Sequence, residues 1–341
     1  MSMQPQLTTK LTERLGCPHP VISAGMGGPA RSALAAAISA AGGFGLLGMV
    51  REPPALIERE IAAVRAATDR PFGVNLIPFA TPPQMLEDEL AVCFNARVPA
   101  MCYFWEVYPG LIERTRKAGA KVLYQVASVP DAELAARAGA DVVIVQGIEA
   151  GGHVKATQPL ASLLPRVADA IDIPVAASGG IASGAGLAAA LAMGADGVHC
   201  GTVFLSATES FAHDYHKQRL VAAGPDETVL TDLFCINWPP HAPVRVLRNS
   251  LVAAAGEKLW GHHPDNLPRV AIGDEEGRPI MKFGTDSPLQ SMTGDFEQMA
   301  LYAGQGVGSE RSVRPAADIL ADMVRAAAAS LRRTQQLVQP A

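Results

Sequence analysis

The chain's best candidate for proton chemistry is His153, at the end of Val142-Val143-Ile144-Val145-Gln146-Gly147-Ile148-Glu149-Ala150-Gly151-Gly152-His153. An imidazole can exchange a proton or hold an anion near neutral pH. The glycines before it allow close backbone approach to a bound group and torsions closed to other residues. The four β-branched residues that open the stretch read as a fully buried strand, so a glycine-rich loop delivers the histidine from a strand end. A plain turn carrying a solvated histidine is the competing reading.

Two further loops carry a different chemistry. Ser178-Gly179-Gly180 and Gly201-Thr202 each follow a short apolar strand. Glycine amides of this kind can cradle a phosphate, with Ser and Thr hydroxyls as added donors, although ordinary strand-to-helix turns also favour Gly and Ser. Neither loop contains Lys or Arg. Binding would rest on backbone dipoles, which suits a phosphate held permanently. Asn75, Gln125 and Gln146 end three other strands, and amides there can hydrogen-bond the polar edge of a planar ring.

Other motifs are weaker. Gly43, Gly45 and Gly48 spell a dinucleotide string, but a helix precedes them and they bracket the strand itself, contrary to the Rossmann arrangement. His262-His263 and the His213, Asp214, His216 group lack a ligand cluster and read as solvated. Cys200, at a strand end, reads by default as an inert buried thiol.

These residues need a scaffold, and its rhythm is short apolar strand, loop, alanine-rich helix. Strands are expected at about 20–24, 44–47, 72–75, 98–103, 121–125, 142–146, 174–178 and 197–200. Helices stopped by Gly follow most of them. The pattern is that of an α/β (β/α)8 TIM barrel, whose catalytic face lies at the strand C-termini. It stops near Phe211 and resumes with a closing helix from about Ala316 to Gln336. Residues 1–210 and 311–341 are therefore assigned to the barrel. Residues 211–310 are assigned to a mainly helical insertion after the eighth strand, forming a lid or substrate-pocket wall.

With 49% hydrophobic and 18% charged residues among 341, the chain can bury a large core. A net charge of −5 gives no electrostatic footprint for nucleic acid. The odd, scattered cysteines (17, 93, 102, 200 and 235), without a Cys-x-x-Cys pair, suit reduced thiols in the cytoplasm. No metal site is expected. The polar N-terminus has no signal-peptide core, and the uncharged Ser32–Val50 run reads as helix plus strand, so no membrane association is expected.

Five stretches together resemble the FMN-dependent nitronate monooxygenases, formerly 2-nitropropane dioxygenases. They are Gly25-Met26, Pro71-Phe72-Gly73-Val74-Asn75, Gly147-x-Glu149-Ala150-Gly151-Gly152-His153, Ala177-Ser178-Gly179-Gly180 and Gly201-Thr202-x-Phe204; Tyr302-Ala303-Gly304-Gln305-Gly306 resembles a further family motif. The resemblance implies FMN as cofactor and His153 as the catalytic residue. It implies cofactor contacts from Gly25, Met26, Gly27, Asn75, Gln125, Gln146, Gly151 and Gly152, from Ser178, Gly179, Gly180, His199, Cys200, Gly201 and Thr202, and from Tyr302 and Gln305. It also implies a nitronate or nitroalkane substrate, with O2, and a monomer or homodimer. Phe104, Trp105 and Tyr108 suggest a more aromatic pocket, or else a packed hinge. The main rival activity is an NAD(P)H-dependent flavin reductase acting on quinones or enoyl thioesters. A non-catalytic flavin-binding barrel is the other.

Overall fold

The structure is a computed structural model and describes residues 6–337. Its ring contains β1 (Val21–Ser23), β2 (Gly45–Gly48), β3 (Phe72–Leu76), β4 (Ala100–Phe104), β5 (Lys121–Val126) and β6 (Val142–Gln146). A short β7 (Gly152–His153) stands outside the ring, which β8 (Val175–Ser178) and β9 (Gly197–Cys200) complete. The eight ring strands are parallel, in the order β1-β9-β8-β6-β5-β4-β3-β2. A parallel bridge between Ile22 and Phe44 joins β1 to the start of β2 and closes the circle. The fold is a TIM barrel, with its strands where hydrophobic runs placed them.

Helix α1 (Lys10–Leu15) precedes the ring. The helices on the outside are α2 (Ser32–Ala40), α3 (Pro54–Ala67), α4 (Pro83–Asn95), α5 (Pro109–Lys117), α6 (Val129–Arg137), α7 (Leu160–Ala170) and α8 (Gly184–Ala192), with a short α9 (Thr202–Leu205) after β9. Prolines open α3, α4 and α5, where the missing N–H costs nothing and the fixed φ suits the first turn. Gly119, Gly139 and Gly194 stop α5, α6 and α8 with φ of 84°, 98° and 98°, the left-handed turn that makes the recurring Gly-Ala joints.

Alternation along the strands divides the core. Ile22, Leu46, Cys102, Leu123, Ile144 and Ala176 form an interior cluster with Leu11 and Leu15 of α1. Leu11 reaches the start of β9, where a Cβ on Gly197 would meet its Cδ1 at 3.1 Å, so α1 caps the N-terminal end of the barrel. Val21, Leu47, Val74, Tyr103, Val145 and Ala177 face outward into the larger cluster under the helices. Full burial of each such aliphatic side chain contributes about 1.5–3 kcal/mol. One end of the barrel is sealed by packing, which leaves chemistry to the other.

The insertion departs from the helical expectation. It contains α10 (Asp214–Ala222) and α11 (Ser250–Ala255), but also β10 (Thr228–Thr231), β11 (Val244–Leu247), β12 (Ala271–Glu275), β13 (Arg278–Met281) and β14 (Met292–Gly294), before the closing α12 (Ala316–Gln335). The strands form two three-stranded sheets, β10-β11-β7 and β13-β12-β14. The runs are short, and the β12–β13 turn uses Glu276 and Gly277 at φ 52° and 90° in place of an Asn-Gly signal. The β10-β11-β7 sheet matters most, because through it the insertion grips the histidine loop.

Candidate functional site

A cavity of about 1340 Å³ opens at the C-terminal ends of the ring strands, the face where TIM barrels carry their chemistry. Its wall includes Gly25, Met26, Gly27, Asn75, Gln125, Gln146, Gly151, Gly152 and His153. Ser178, Gly179, Gly180, His199, Cys200, Gly201, Thr202 and Tyr302 complete that part of it. Gln305 lies outside the wall: it is exposed, and its backbone N–H donates to the Glu149 carbonyl at 2.9 Å, tying down the glycine loop. Phe104 reaches the cavity, whereas Tyr108 is 39% exposed and apart from it.

His153 is positioned by backbone. In the β7–β11 ladder His153 faces Val244 and Gly152 faces Arg245. Buried Gln146 donates from Nε2 to the His153 carbonyl at 3.0 Å and accepts the Lys155 N–H on Oε1 at 2.9 Å. Its amide is thus engaged in bracketing the histidine. Arg245, also buried, donates to the Ile148 carbonyl at 2.8 Å and fixes the preceding turn. A Cβ on Gly151 would meet the Gly304 nitrogen at 2.3 Å, so the same loop packs directly on the Ala303–Gly304 backbone.

The imidazole stacks on Trp238 with centroids 3.9 Å apart and planes 20° from parallel, and Tyr302 lies 5.9 Å away. Its Nε2 is buried and has no hydrogen-bond partner among the described residues. Burial, and then the charge of Arg51, push the His153 pKa down to about 3. The ring is neutral at physiological pH, able to accept a proton and unable to serve as a standing cation.

Around the glycine loops the backbone is open. Gly179 and Gly180 have φ of 118° and 70°, and their amides find no acceptor among the described residues. Ser178 Oγ and His199 Nδ1 pair at 2.9 Å, and burial pushes the His199 pKa down to about 4. Thr202 Oγ1 accepts the Gly304 N–H at 2.8 Å. Asn75 donates from Nδ2 to the Cys102 carbonyl at 3.2 Å; among the described residues its own oxygen accepts no hydrogen bond and Gln125 makes no side-chain hydrogen bond. The Cys200 thiol is pushed up to about 12 by burial and is inert.

Two wall residues, Arg51 and Trp238, belong to no sequence motif, and Trp105 stands behind the wall close to His153. Arg51 has φ 57°, lines the cavity, and places its guanidinium carbon 4.6 Å over the Trp238 ring. Trp238 follows Asn237, which has φ 69°. Trp105, with φ 93°, stacks on Phe79 at 5.5 Å and its ring lies 6.5 Å from His153. Positive φ at such residues is strain, and strain gathers where a surrounding structure holds a working geometry. Among the described residues no metal-ligand cluster occurs, and no helix is long and apolar enough to cross a membrane.

A family model described as nitronate monooxygenase matches residues 8–93 and 88–326. A Mycobacterium tuberculosis protein described as (3aS,4S,5R,7aS)-5-hydroxy-7a-methyl-1-oxo-octahydro-1H-indene-4-carboxyl-CoA dehydrogenase is 40% identical over 252 residues, covering 72% of this chain and 68% of that protein. Among solved structures, FabK from Thermotoga maritima is similar at a TM-score of 0.83 and 30% identity, covering 97% of this chain and all (100%) of that one. Nitroalkane oxidase from Streptomyces ansochromogenes is similar at 0.76 and 29%, with coverages of 97% and 100%.

Proposed function

The chain belongs to the nitronate monooxygenase family, and from that premise we propose an FMN-dependent oxidoreductase that oxidises alkyl nitronates, and nitroalkanes by way of them, to a carbonyl compound and nitrite with O2. Family members are flavin-dependent in general. The residues here fit such a group. Paired glycine amides without acceptors suit a phosphate, Asn75 and Gln125 carry free amide atoms, and the cavity exceeds the roughly 300–1,000 Å³ of a single-ligand pocket. FMN, when bound, would supply the electron acceptor and the centre that O2 reoxidises.

The observation that carries the reading is the His153 imidazole at the cavity wall, whose Nε2 has no hydrogen-bond partner among the described residues. A neutral imidazole can take a proton from the carbon beside a nitro group, where the resulting charge delocalises onto oxygen. Gln146 and the β7–β11 ladder hold the ring for that transfer, while Trp238 excludes water from one face.

A second reading is oxidation beside the carbonyl of a CoA thioester. The name of the M. tuberculosis relative and the size of the cavity favour it. The same base would serve, since that carbon is also acidified by a neighbouring oxygen. The two are separated by mixing purified protein anaerobically with ethylnitronate, an acyl-CoA and NADH in turn. Rapid flavin bleaching by the nitronate is expected. Bleaching by the thioester alone would transfer the assignment to the second reading, and bleaching by NADH alone would make the protein a reductase.

A further inference from the structure

A neutral His153 leaves open which group meets a substrate's negative charge. Four cations line the cavity: Arg31, Arg51, Arg59 and Arg278. Arg31 pairs with Glu52 at 3.1 Å, Arg59 with Glu60 at 3.6 Å, and Arg278 with Glu275 and Asp286 at 2.5 and 2.9 Å. Among the described residues, Arg51 has no carboxylate within 4 Å, and its one hydrogen bond goes from Nη1 to the Asn237 carbonyl. A guanidinium carries five N–H donors and stays charged when buried. Asp286 exerts the largest charge on Arg51, but it lies beyond 4 Å and is held by Arg278 at 2.9 Å; Glu89 also acts on Arg51, and burial pushes the Glu89 pKa up to about 8, so it is mostly protonated at neutral pH.

Arg51 is not alone at this wall. Buried side-chain atoms without a hydrogen-bond partner among the described residues gather at this wall: Trp238 Nε1, His153 Nε2, Ser287 Oγ and one oxygen of Asp286. Such atoms are rare in folded proteins and call for a reason. Imidazole and guanidinium cannot share one indole face at 3.9 and 4.6 Å, so Trp238 is sandwiched between His153 and Arg51. Two donors, the indole N–H and the Ser287 hydroxyl, thus accompany the unpaired cation.

We propose that Arg51 recognises the negative charge of the substrate, receiving an anionic oxygen together with the indole N–H of Trp238. The site then prefers planar, delocalised anions such as nitronates and carboxylates over their neutral counterparts. This rests on the cavity being the substrate site, and it holds whichever donor reduces the flavin.

Propionate has the shape and charge of ethylnitronate and does not react, so calorimetric titration of the purified protein with propionate, and with uncharged propionamide, tests binding apart from turnover. Arg51→Gln is expected to weaken propionate at least roughly tenfold, the worth of one charge-assisted hydrogen bond, and to leave propionamide unchanged. Arg51→Lys should keep most of the affinity, and Trp238→Phe should lose part of it. Unchanged propionate binding in Arg51→Gln, equal weakening of both ligands, or no propionate binding by the native protein would overturn the proposal. So would an equal loss in Asp286→Asn, which would mean that the two side chains only serve each other.

Discussion

Burial decides what His153 can do. An imidazole exposed to water titrates near 6.5, whereas this one is pushed down to about 3. The neutral ring is the base, so kcat/KM for a neutral nitroalkane should stay level from pH 7 to about 5 and fall only toward pH 3. An acid limb near 6.5 would show that the ring is solvated during turnover. His153→Ala should retain flavin and lose roughly 10²–10⁴-fold in kcat with a nitroalkane, and far less with a preformed nitronate, which has already shed its proton. Equal losses with both would assign the ring to holding the anion. His153 was legible in the sequence because a strand, a glycine run and a histidine are contiguous. Arg51 and Trp238 were not, since they meet across 187 residues and neither belongs to a motif.

At the scale of elements, the histidine loop is a strand borrowed by the insertion. Gln146 ends β6 yet both ends of its amide hold the backbone on either side of Val154. Replacing it by Ala strands a buried carbonyl and N–H, at about 1–3 kcal/mol each. Gln146→Ala should therefore lower both Tm and kcat while flavin content stays unchanged; flavin loss would restore it to the cofactor's wall. Gly180 makes the opposite case. Its φ of 70° and a Cβ position 3.2 Å from Glu149 Cβ leave no room for a branched residue. Gly180→Val should fold and release FMN on gel filtration, whereas full retention would remove this loop from the phosphate site. The barrel strands could be read because they are buried on both faces and apolar throughout. The insertion's strands could not: β12 has no fully buried residue and no regular alternation, Arg and Pro open β13, and nothing local marks them off from loop.

For the whole molecule, the barrel supplies the glycine-loop side of the cavity and the insertion supplies the side that carries Trp238 and Tyr302. Val244 and Arg245 reach the histidine loop, Trp238 covers the imidazole, and Tyr302, which bridges Val246, closes the side. Buried neutral histidines also set an acid limit on this assembly. His199 and His216 are pushed down to about 4 by burial, while in an unfolded chain they take up protons from about pH 6.5. The unfolded state thus binds more protons between those values. Stability is full above pH 6.5 and falls as pH drops to 4, by about 1.4 kcal/mol per pH unit for each ring. Urea unfolding at pH 7 and pH 5 should show that loss, and Cm values equal at the two would show that these rings are hydrated.

The central claim is that this barrel mouth holds FMN beside His153. The visible spectrum of the freshly purified protein, with mass spectrometry of the cofactor released by heat, tests it most directly. Flavin absorbance and one FMN per chain are expected. A colourless protein that remains so after incubation with FMN and desalting would contradict it.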